Sequence, residues 1–274
     1  MSKGDLDFVL NQTIREGWSS CRDDFEELII HDSTGSFVGE VNGESIGMVC
    51  SVNYGKVGFI GNLIVENKYR GHNYGRLLME YAMKYLLNKG TKSIFLDAVP
   101  KAISLYEQLG FKKIAKSLRL ESNFRGGSPQ NTRPMSEEDL KSVISLDSLH
   151  FGAKREKFLQ MRYSKHPELS FVLGQDGELL GYIMGSYSGQ TLRIGPWVLH
   201  NHIPNSVNLL LALAEASSTN LMKIGVLETN KDALDILKRY GFKEISFSWR
   251  MLYGVDTDAT QSNHLYAIGG PDRG

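Results

Sequence analysis

Apolar residues recur with helical spacing at Leu6, Val9, Leu10 and Ile14, which predicts a helix over 5–17, and a second, shorter helix is predicted from Asp23 to Ile30. Strand-like segments follow at Ser36–Val41, Ser45–Asn53 and Lys56–Val65. The Asn42-Gly43 and Tyr54-Gly55 pairs between them are hairpin signals, so three antiparallel strands are expected. After a loop over 66–73, the run Tyr74, Leu77, Leu78, Tyr81, Ala82, Tyr85 and Leu86 has helical spacing and stops at Gly90. A buried strand at Ser93–Ala98, a helix from Pro100 to Leu109 closed by Gly110, and a last strand at Phe111–Leu120 complete the pattern. Helices and strands mixed in this order predict an α/β sheet rather than a helical bundle.

The pattern then repeats. Met1-Ser2-Lys3-Gly4-Asp5-Leu6 is matched by Met135-Ser136-Glu137-Glu138-Asp139-Leu140, 134 positions later. At the same offset Gly43–Gly47 matches Gly177–Gly181 and Gly61–Val65 matches Gly195–Leu199. Further on, Gly110-Phe111-Lys112 matches Gly241-Phe242-Lys243 at an offset of 131. Four matches in order and register imply two domains of one fold. The expected division is a first domain over 1–121, a Gly/Ser/Pro/Asn-rich linker over 122–131, and a second domain over 132–274. The second copy has a short opening strand at Asn131–Pro134 with no counterpart before Met1, and a further strand at 263–268 that could complete either sheet.

A chain of 274 residues with 41% hydrophobic and 10% aromatic residues can bury two cores, which excludes a mainly disordered or collagen-like protein. Thirty-one basic residues balance thirty-one acidic ones, so no global field is available to hold nucleic acid or an anionic membrane. The basic residues are also dispersed, without an aromatic-interleaved strip, and nucleic-acid binding is not expected. The apolar run Leu209–Ala214 is far short of the ~20 residues needed to cross a bilayer, and no signal pattern opens the chain, so a cytoplasmic location is expected. Cys21 and Cys50 have neither metal-ligand spacing nor a disulfide framework and read as small core hydrophobes. His200 and His202 lack cysteine or carboxylate partners nearby, so no metal is expected there.

The candidate chemistry lies in Leu63-Ile64-Val65-Glu66-Asn67-Lys68-Tyr69-Arg70-Gly71-His72-Asn73-Tyr74-Gly75-Arg76, where a strand enters a glycine-containing turn and a helix begins. Main-chain amides of such a turn, with the positive end of the helix dipole, make an anion site. It is neither a Walker A loop nor a Gly-x-Gly-x-x-Gly dinucleotide turn. Arg-Gly-x-x-x-Gly after Leu-x-Val, with Ala102-x-x-x-Tyr106-Glu107-x-Leu109-Gly110-Phe111 downstream, resembles the GNAT superfamily of acetyl-CoA-dependent N-acetyltransferases. Gly61–Val65 and Leu96-Asp97-Ala98 are similar to a two-domain branch whose second half is a degenerate GNAT-like domain.

The resemblance implies tandem GNAT-like folds, each a mixed, mostly antiparallel sheet flanked by helices. It implies that main-chain groups of Leu63 and Val65 bond the pantetheine arm of acetyl-CoA, that an amide at Leu63 or Ile64 polarises the thioester carbonyl, and that amides of Arg70, Gly71, His72, Asn73, Tyr74 and Gly75, leading into Arg76, hold the pyrophosphate. Tyr106 stands where the family places a tyrosine that protonates the departing thiolate. The chain departs from the family at Asn73, where glycine or alanine is usual, and at Val99, where many members have asparagine. Asparagine tolerates left-handed backbone, which keeps the turn feasible.

Attack by an amine requires its neutral form, so a carboxylate or a water chain must accept a proton. Asp97, at the end of a buried strand, is the first candidate base and Glu40 the second; Asp97 capping the following turn is the alternative. Asn62 is a candidate for contact with substrate or with neighbouring backbone. In the second copy Pro204-Asn205-Ser206-Val207-Asn208-Leu209 replaces the turn without a glycine, so no second CoA site is expected. The expected role of that copy is to shape the acceptor pocket, with Trp197 and Tyr182 as candidate lining residues or plain core. The expected activity is acetyl transfer to a primary amine of a small molecule, with no metal. A protein lysine or N-terminus as acceptor, and a CoA-responsive binding module without turnover, are the alternatives.

Overall fold

The computed structural model describes residues 1–175, 177–200, 206–255 and 263–274, and the chain divides into two compact units. Unit 1 comprises Met1–Ile114, Trp249–Asp256 and Pro271–Arg273; unit 2 comprises Ala115–Ser248, Thr257–Gly270 and Gly274. In chain order the elements are α1 (Leu6–Arg15), α2 (Arg22–His31), β1 (Ser36–Val41), β2 (Glu44–Tyr54), β3 (Val57–Val65), α3 (Tyr74–Asn88), β4 (Ser93–Ala98), α4 (Ile103–Gln108) and β5 (Lys112–Asn123). There follow β6 (Thr132–Pro134), α5 (Leu140–Phe151), α6 (Glu156–Lys165), β7 (Ser170–Gln175), β8 (Glu178–Ser188), β9 (Thr191–Leu199) and α7 (Val207–Ala216). The last are β10 (Leu221–Leu227), α8 (Lys231–Arg239), β11 (Lys243–Gly254) and β12 (Leu265–Ala267).

In unit 1, β1, β2 and β3 form an antiparallel meander, and β4 joins β3 in parallel. The first hairpin turns through Asn42 and Gly43 at φ 51° and 78°, the paired left-handed geometry that a two-residue β-turn of this hand requires. The free side of β4 pairs antiparallel with Trp249–Gly254 of β11. In unit 2, β6, β7, β8 and β9 are successively antiparallel, β10 joins β9 in parallel, and β10 pairs antiparallel with β5 over Ser117–Asn123. Each unit therefore has a mixed, mostly antiparallel sheet with helices packed on it, the fold expected from the element order.

Two expectations change. The helix faces are rotated: α3 buries Met79, Ala82, Met83 and Leu86, while Leu77 and Tyr81 of the expected stripe are exposed. Likewise α1 buries Leu6, Val9, Gln12 and Thr13 and leaves Ile14 exposed. Both helices carry more apolar positions than one face holds, and on α3 the flexible Met79 and Met83 take the buried side. The repeat boundary and the unit boundary also differ. β5, the last strand of the first copy, lies in unit 2 from Ala115 onward, and the sheet of unit 1 is completed by the end of β11. Ser122 and Asn123, within the stretch read as linker, are strand residues. Alternation along a strand fixes which face is buried but not which neighbour it pairs with.

The parallel pairs are short. β3 and β4 pair only at Val57–Ser93, Gly58–Ile94 and Phe59–Phe95, then diverge. β9 and β10 do the same after Ile194–Ile224. Into the second gap runs β12, pairing with β9 at Val198 and Trp197, followed by a bond from the Ile268 amide to the Gly225 carbonyl of β10. The strand at 263–268 therefore belongs to the sheet of unit 2.

Candidate active site

The gap between β3 and β4 is shaped by a bulge. Met48 faces Ile64 and Cys50 faces Gly61, so three steps on β3 oppose two on β2, and Asn62 takes up the extra residue at φ 54°. Beyond the bulge, the Glu66 amide donates to the Ile46 carbonyl at 2.8 Å on β2. Main-chain groups alternate in direction along a strand, so Ile64 is turned to β2 while Leu63 and Val65 face the side from which β4 has withdrawn. Of the Leu63 and Ile64 amides, that of Leu63 has the geometry to meet a carbonyl in the gap. The Val65 carbonyl accepts from Arg70 Nε at 2.8 Å.

The turn after β3 ends at the N-terminus of α3. The first helical bond runs from the Leu77 amide to the Asn73 carbonyl, 3.1 Å. The amides of Gly71, His72, Asn73, Tyr74, Gly75 and Arg76 thus precede the ladder and have no carbonyl four residues back in a helix. Gly71 sits at φ 83°, where a side chain is strained, and Asn73 adopts φ 64°, the left-handed conformation asparagine tolerates. At Gly71 a Cβ would meet nothing within 4 Å, and at Gly75 it would reach only ordinary contact distance, 3.8 Å from Leu105 and Val65, so the mouth of the turn is open. Amides without helical partners, a helix dipole and an open mouth fit a phosphate, and the gap bordered by Leu63 and Val65 fits the extended arm of an acyl-CoA.

Cations flank this turn. Arg70 and Lys101 both pair with Glu16, the latter at 2.6 Å. Their bonds, led by that of Lys101, hold the Glu16 carboxyl below the usual carboxylate range against the opposing effect of burial. Arg76 donates to Gln108 at 3.0 Å and pairs with Glu80 one turn on. His72 Nδ1 lies 3.0 Å from the Arg70 carbonyl, and the His72 ring lies 6.1 Å from that of Tyr74.

Tyr106 projects from α4 into the core of unit 1, edge-on to Phe111. Burial pushes its hydroxyl pKa well up, so the group stays protonated at neutral pH and has a proton to donate. Asp97 is placed otherwise than the turn-capping alternative supposes. It faces Arg250 across the β4–β11 pair and is salt-bridged to it, with both side chains 1% exposed. Proton uptake there would leave Arg250 as an uncompensated buried cation, a cost that weighs against the role of base. Glu40 is exposed at a bulge on β1. Asn62 Nδ2 donates to Asp272 Oδ2 at 3.0 Å.

Four participants were not legible in advance: Glu16 and Lys101 beside the turn, Arg250 on Asp97, and Asp272 on Asn62. Their sequence separations of 85 to 210 residues leave no local signal. Trp197 and Tyr182, candidates for a pocket wall, are instead completely buried in unit 2, where Tyr182 Oη donates to Asp147 at 2.5 Å. Pro204, Asn205 and His202 lie outside the described residues. His200 is 3.4 Å from His150, whose ring stacks on His264. Among the described residues no cluster of three or more His, Cys, Asp or Glu could hold a metal, and no helix is long and apolar enough to cross a membrane. Cys50 is buried, which raises its thiol to about 12, and Cys21 is half-buried beside Asp24.

Comparison with known proteins agrees with this geometry. The Acetyltransferase (GNAT) family profile matches residues 8–111, and a second Acetyltransferase (GNAT) domain profile matches residues 143–267. The chain is 25% identical to the holothin acyltransferase of Pseudoalteromonas sp. (strain SANK 73390), covering 90% of this chain and 85% of that protein. It is also 25% identical to the uncharacterized N-acetyltransferase YitH of Bacillus subtilis (strain 168), over 92% of this chain and 89% of that one. Among solved structures, a candidate acetyltransferase from Pyrococcus horikoshii superposes with a TM-score of 0.85 at 20% identity, covering 100% of this chain and 94% of the other. With one such domain in each half of its sequence, the chain belongs to the GNAT acetyltransferase family, whose members are acyl-CoA-dependent N-acyltransferases.

Proposed function

We propose that unit 1 transfers the acetyl group of acetyl-CoA to the primary amine of a small molecule, in one direct step. The observation that carries this reading is the divergence of β3 from β4 after Phe59, opening beside the unladdered amides of Gly71–Arg76. Acetyl-CoA supplies the acetyl group already activated as a thioester. The amides at the start of α3 bind the pyrophosphate, and main-chain groups of Leu63 and Val65 hold the pantetheine arm along β3. The Leu63 amide, fixed by the bulge, donates to the thioester oxygen, where negative charge grows as nitrogen approaches. Burial keeps Tyr106 Oη protonated until the carbon–sulfur bond breaks, when its proton passes to the sulfur; the proton shed by the attacking nitrogen passes through water and restores the hydroxyl. The thiol of Cys50 is buried and its pKa raised to about 12, which does not suit a nucleophile for a covalent acetyl-enzyme. Positioning of two reactants therefore carries most of the rate.

A small-molecule acceptor is supported by the relative named for holothin, a single named acceptor, which matches 90% of this chain. The test is release of thiol from acetyl-CoA by the full chain across a panel of small primary amines, peptides and folded proteins, with products weighed by mass spectrometry. Acetylated small amines are expected. Products confined to protein lysines or N-termini would move the acceptor class, and tight acetyl-CoA binding without turnover on any amine would favour a CoA-responsive binding module.

A further inference from the structure

The bulge that aims Leu63 is held by residues far away in sequence. Gly61 has no side chain, and a Cβ there would lie 2.3 Å from the Cβ of Asp272, so the Pro271–Arg273 segment of unit 1 rests directly on the β3 backbone. Next to that contact, the Asn62 amide group donates to Asp272 Oδ2 at 3.0 Å. Asp272 is itself fixed: Arg273 Nε donates to Oδ1 and Arg273 Nη2 to Oδ2, each at 2.9 Å. Arg273 is tied in turn to α2, through Glu27 Oε2 at 3.1 Å and the Asp24 carbonyl at 3.4 Å, while its own carbonyl accepts from the Tyr54 hydroxyl at 3.0 Å. Asp24, Glu27, Tyr54, Asp272 and Arg273 are buried, and Gly61 and Asn62 are half-buried. Nothing in the established family membership assigns them a task.

We propose that Asp272 is a positioning residue for acyl transfer: by holding the side chain of Asn62 it keeps the β3 bulge in register and the Leu63 amide aimed into the gap. Asn62 occupies the left-handed region, which asparagine tolerates more readily than other side chains, and a hydrogen bond to its side chain restrains it there. The Asp272 carboxylate supplies that restraint. Without it, the extra residue of the bulge can be absorbed by the strand, and a slip of one residue turns the Leu63 amide toward β2. The inference rests on the reading that unit 1 takes an acetyl thioester at this gap.

The experiment uses the full-length protein, Asp272→Ala and Asp272→Asn. Each is titrated with CoA and with acetyl-CoA, followed by amide NMR of Leu63, assayed for acetyl transfer to whichever amine the wild type accepts, and melted. The alanine variant should keep CoA affinity within about twofold, because the pyrophosphate turn is untouched, yet lose about tenfold or more in kcat. Its Leu63 resonance should no longer shift between the CoA and acetyl-CoA complexes. The asparagine variant keeps an oxygen for Asn62 but loses the charge facing Arg273, so it should melt as low as the alanine variant while retaining most of the kcat and the Leu63 shift. Wild-type kcat and Leu63 shift in Asp272→Ala would overturn the inference, as would Asp272→Asn losing activity in step with its melting temperature. Should either variant fail to fold, Asn62→Ala replaces it, with the same loss expected at an unchanged CoA affinity. A wild type that binds neither ligand overturns the parent reading, and the inference with it.

Discussion

Two strands 134 residues apart, β3 and β9, begin their divergence from a parallel neighbour with the same glycine, and the glycine serves a different end in each unit. Gly61 makes room on the face of β3 for Asp272, and the gap between β3 and β4 stays bordered by the outward main chain of Leu63 and Val65. At Gly195 a Cβ would lie 2.0 Å from the Ile268 carbonyl, and at Gly225, on the far side, it would meet the Ile268 side chain at 2.8 Å. The second gap is therefore filled by β12 and Ile268, its hydrogen-bonding edge spent on protein. The flanking charges differ too. The positions of Glu16 and Glu66 are taken 134 residues on by His150 and His200, so two imidazoles 3.4 Å apart stand where unit 1 gathers Arg70 and Lys101. One gap stays open and the other is closed by four residues of its own chain, and both versions of the fold coexist here.

Four changes break or sharpen that contrast. The largest effect is expected from Arg250→Met, which leaves the Asp97 carboxylate buried without the Arg250 charge; unfolding by urea should show a loss of about 3–5 kcal/mol. A loss below 1 kcal/mol would mean that Asp97 is not committed to the pair. Next, Ile268→Ala removes the plug of the second gap and should cost about 2–5 kcal/mol by the same measurement, without creating a second acetyl-CoA site, because unit 2 has no glycine turn at α7 among its described residues. A second site appearing in calorimetry would show that the plug alone distinguishes the units. Tyr106→Phe keeps the packing and removes the donor, so kcat should fall by about 100-fold with acetyl-CoA affinity unchanged. An unchanged kcat would return Tyr106 to the core.

The smallest effect concerns pH. Burial, with His264 and His200 adding to it, holds His150 at about 4 against an ordinary 6.5, while Asp147 pulls the other way. Between those values the unfolded chain binds more protons than the folded one, so this group's stabilisation is fully present above about 6.5 and is lost as pH falls toward 4. Melting temperatures measured from pH 7.5 down to 4.5 should fall more for the wild type than for His150→Gln. Parallel curves would show that His150 does not report on the filled gap.

The sequence carried the order of elements, the repeat and the turn because each is a local pattern: Asn42-Gly43 closes a hairpin, Gly71 takes a left-handed position, Gly90 ends α3. It did not carry the facing of α3, where Leu77 and Tyr81 compete with Met79 and Met83 for one sheet, because both stripes satisfy a helical period. Nor did it carry the strand that completes unit 1, since pairing of β4 with Trp249–Gly254 rather than with β5 is decided by packing at long range. The same holds at the site. Gly71–Gly75 and Tyr106 stand in contiguous motifs, whereas Arg250 and Asp272 reach Asp97 and Asn62 across more than 150 residues and have no motif of their own.

On the proposed function one gap is a ligand site and the other is not. Calorimetric titration of the full chain with acetyl-CoA, beside a variant carrying Gly71→Glu and Gly75→Glu, tests it without knowing the acceptor. One site per chain, absent from the variant, is the predicted result. Two sites, or one site that survives both glutamates, would contradict it.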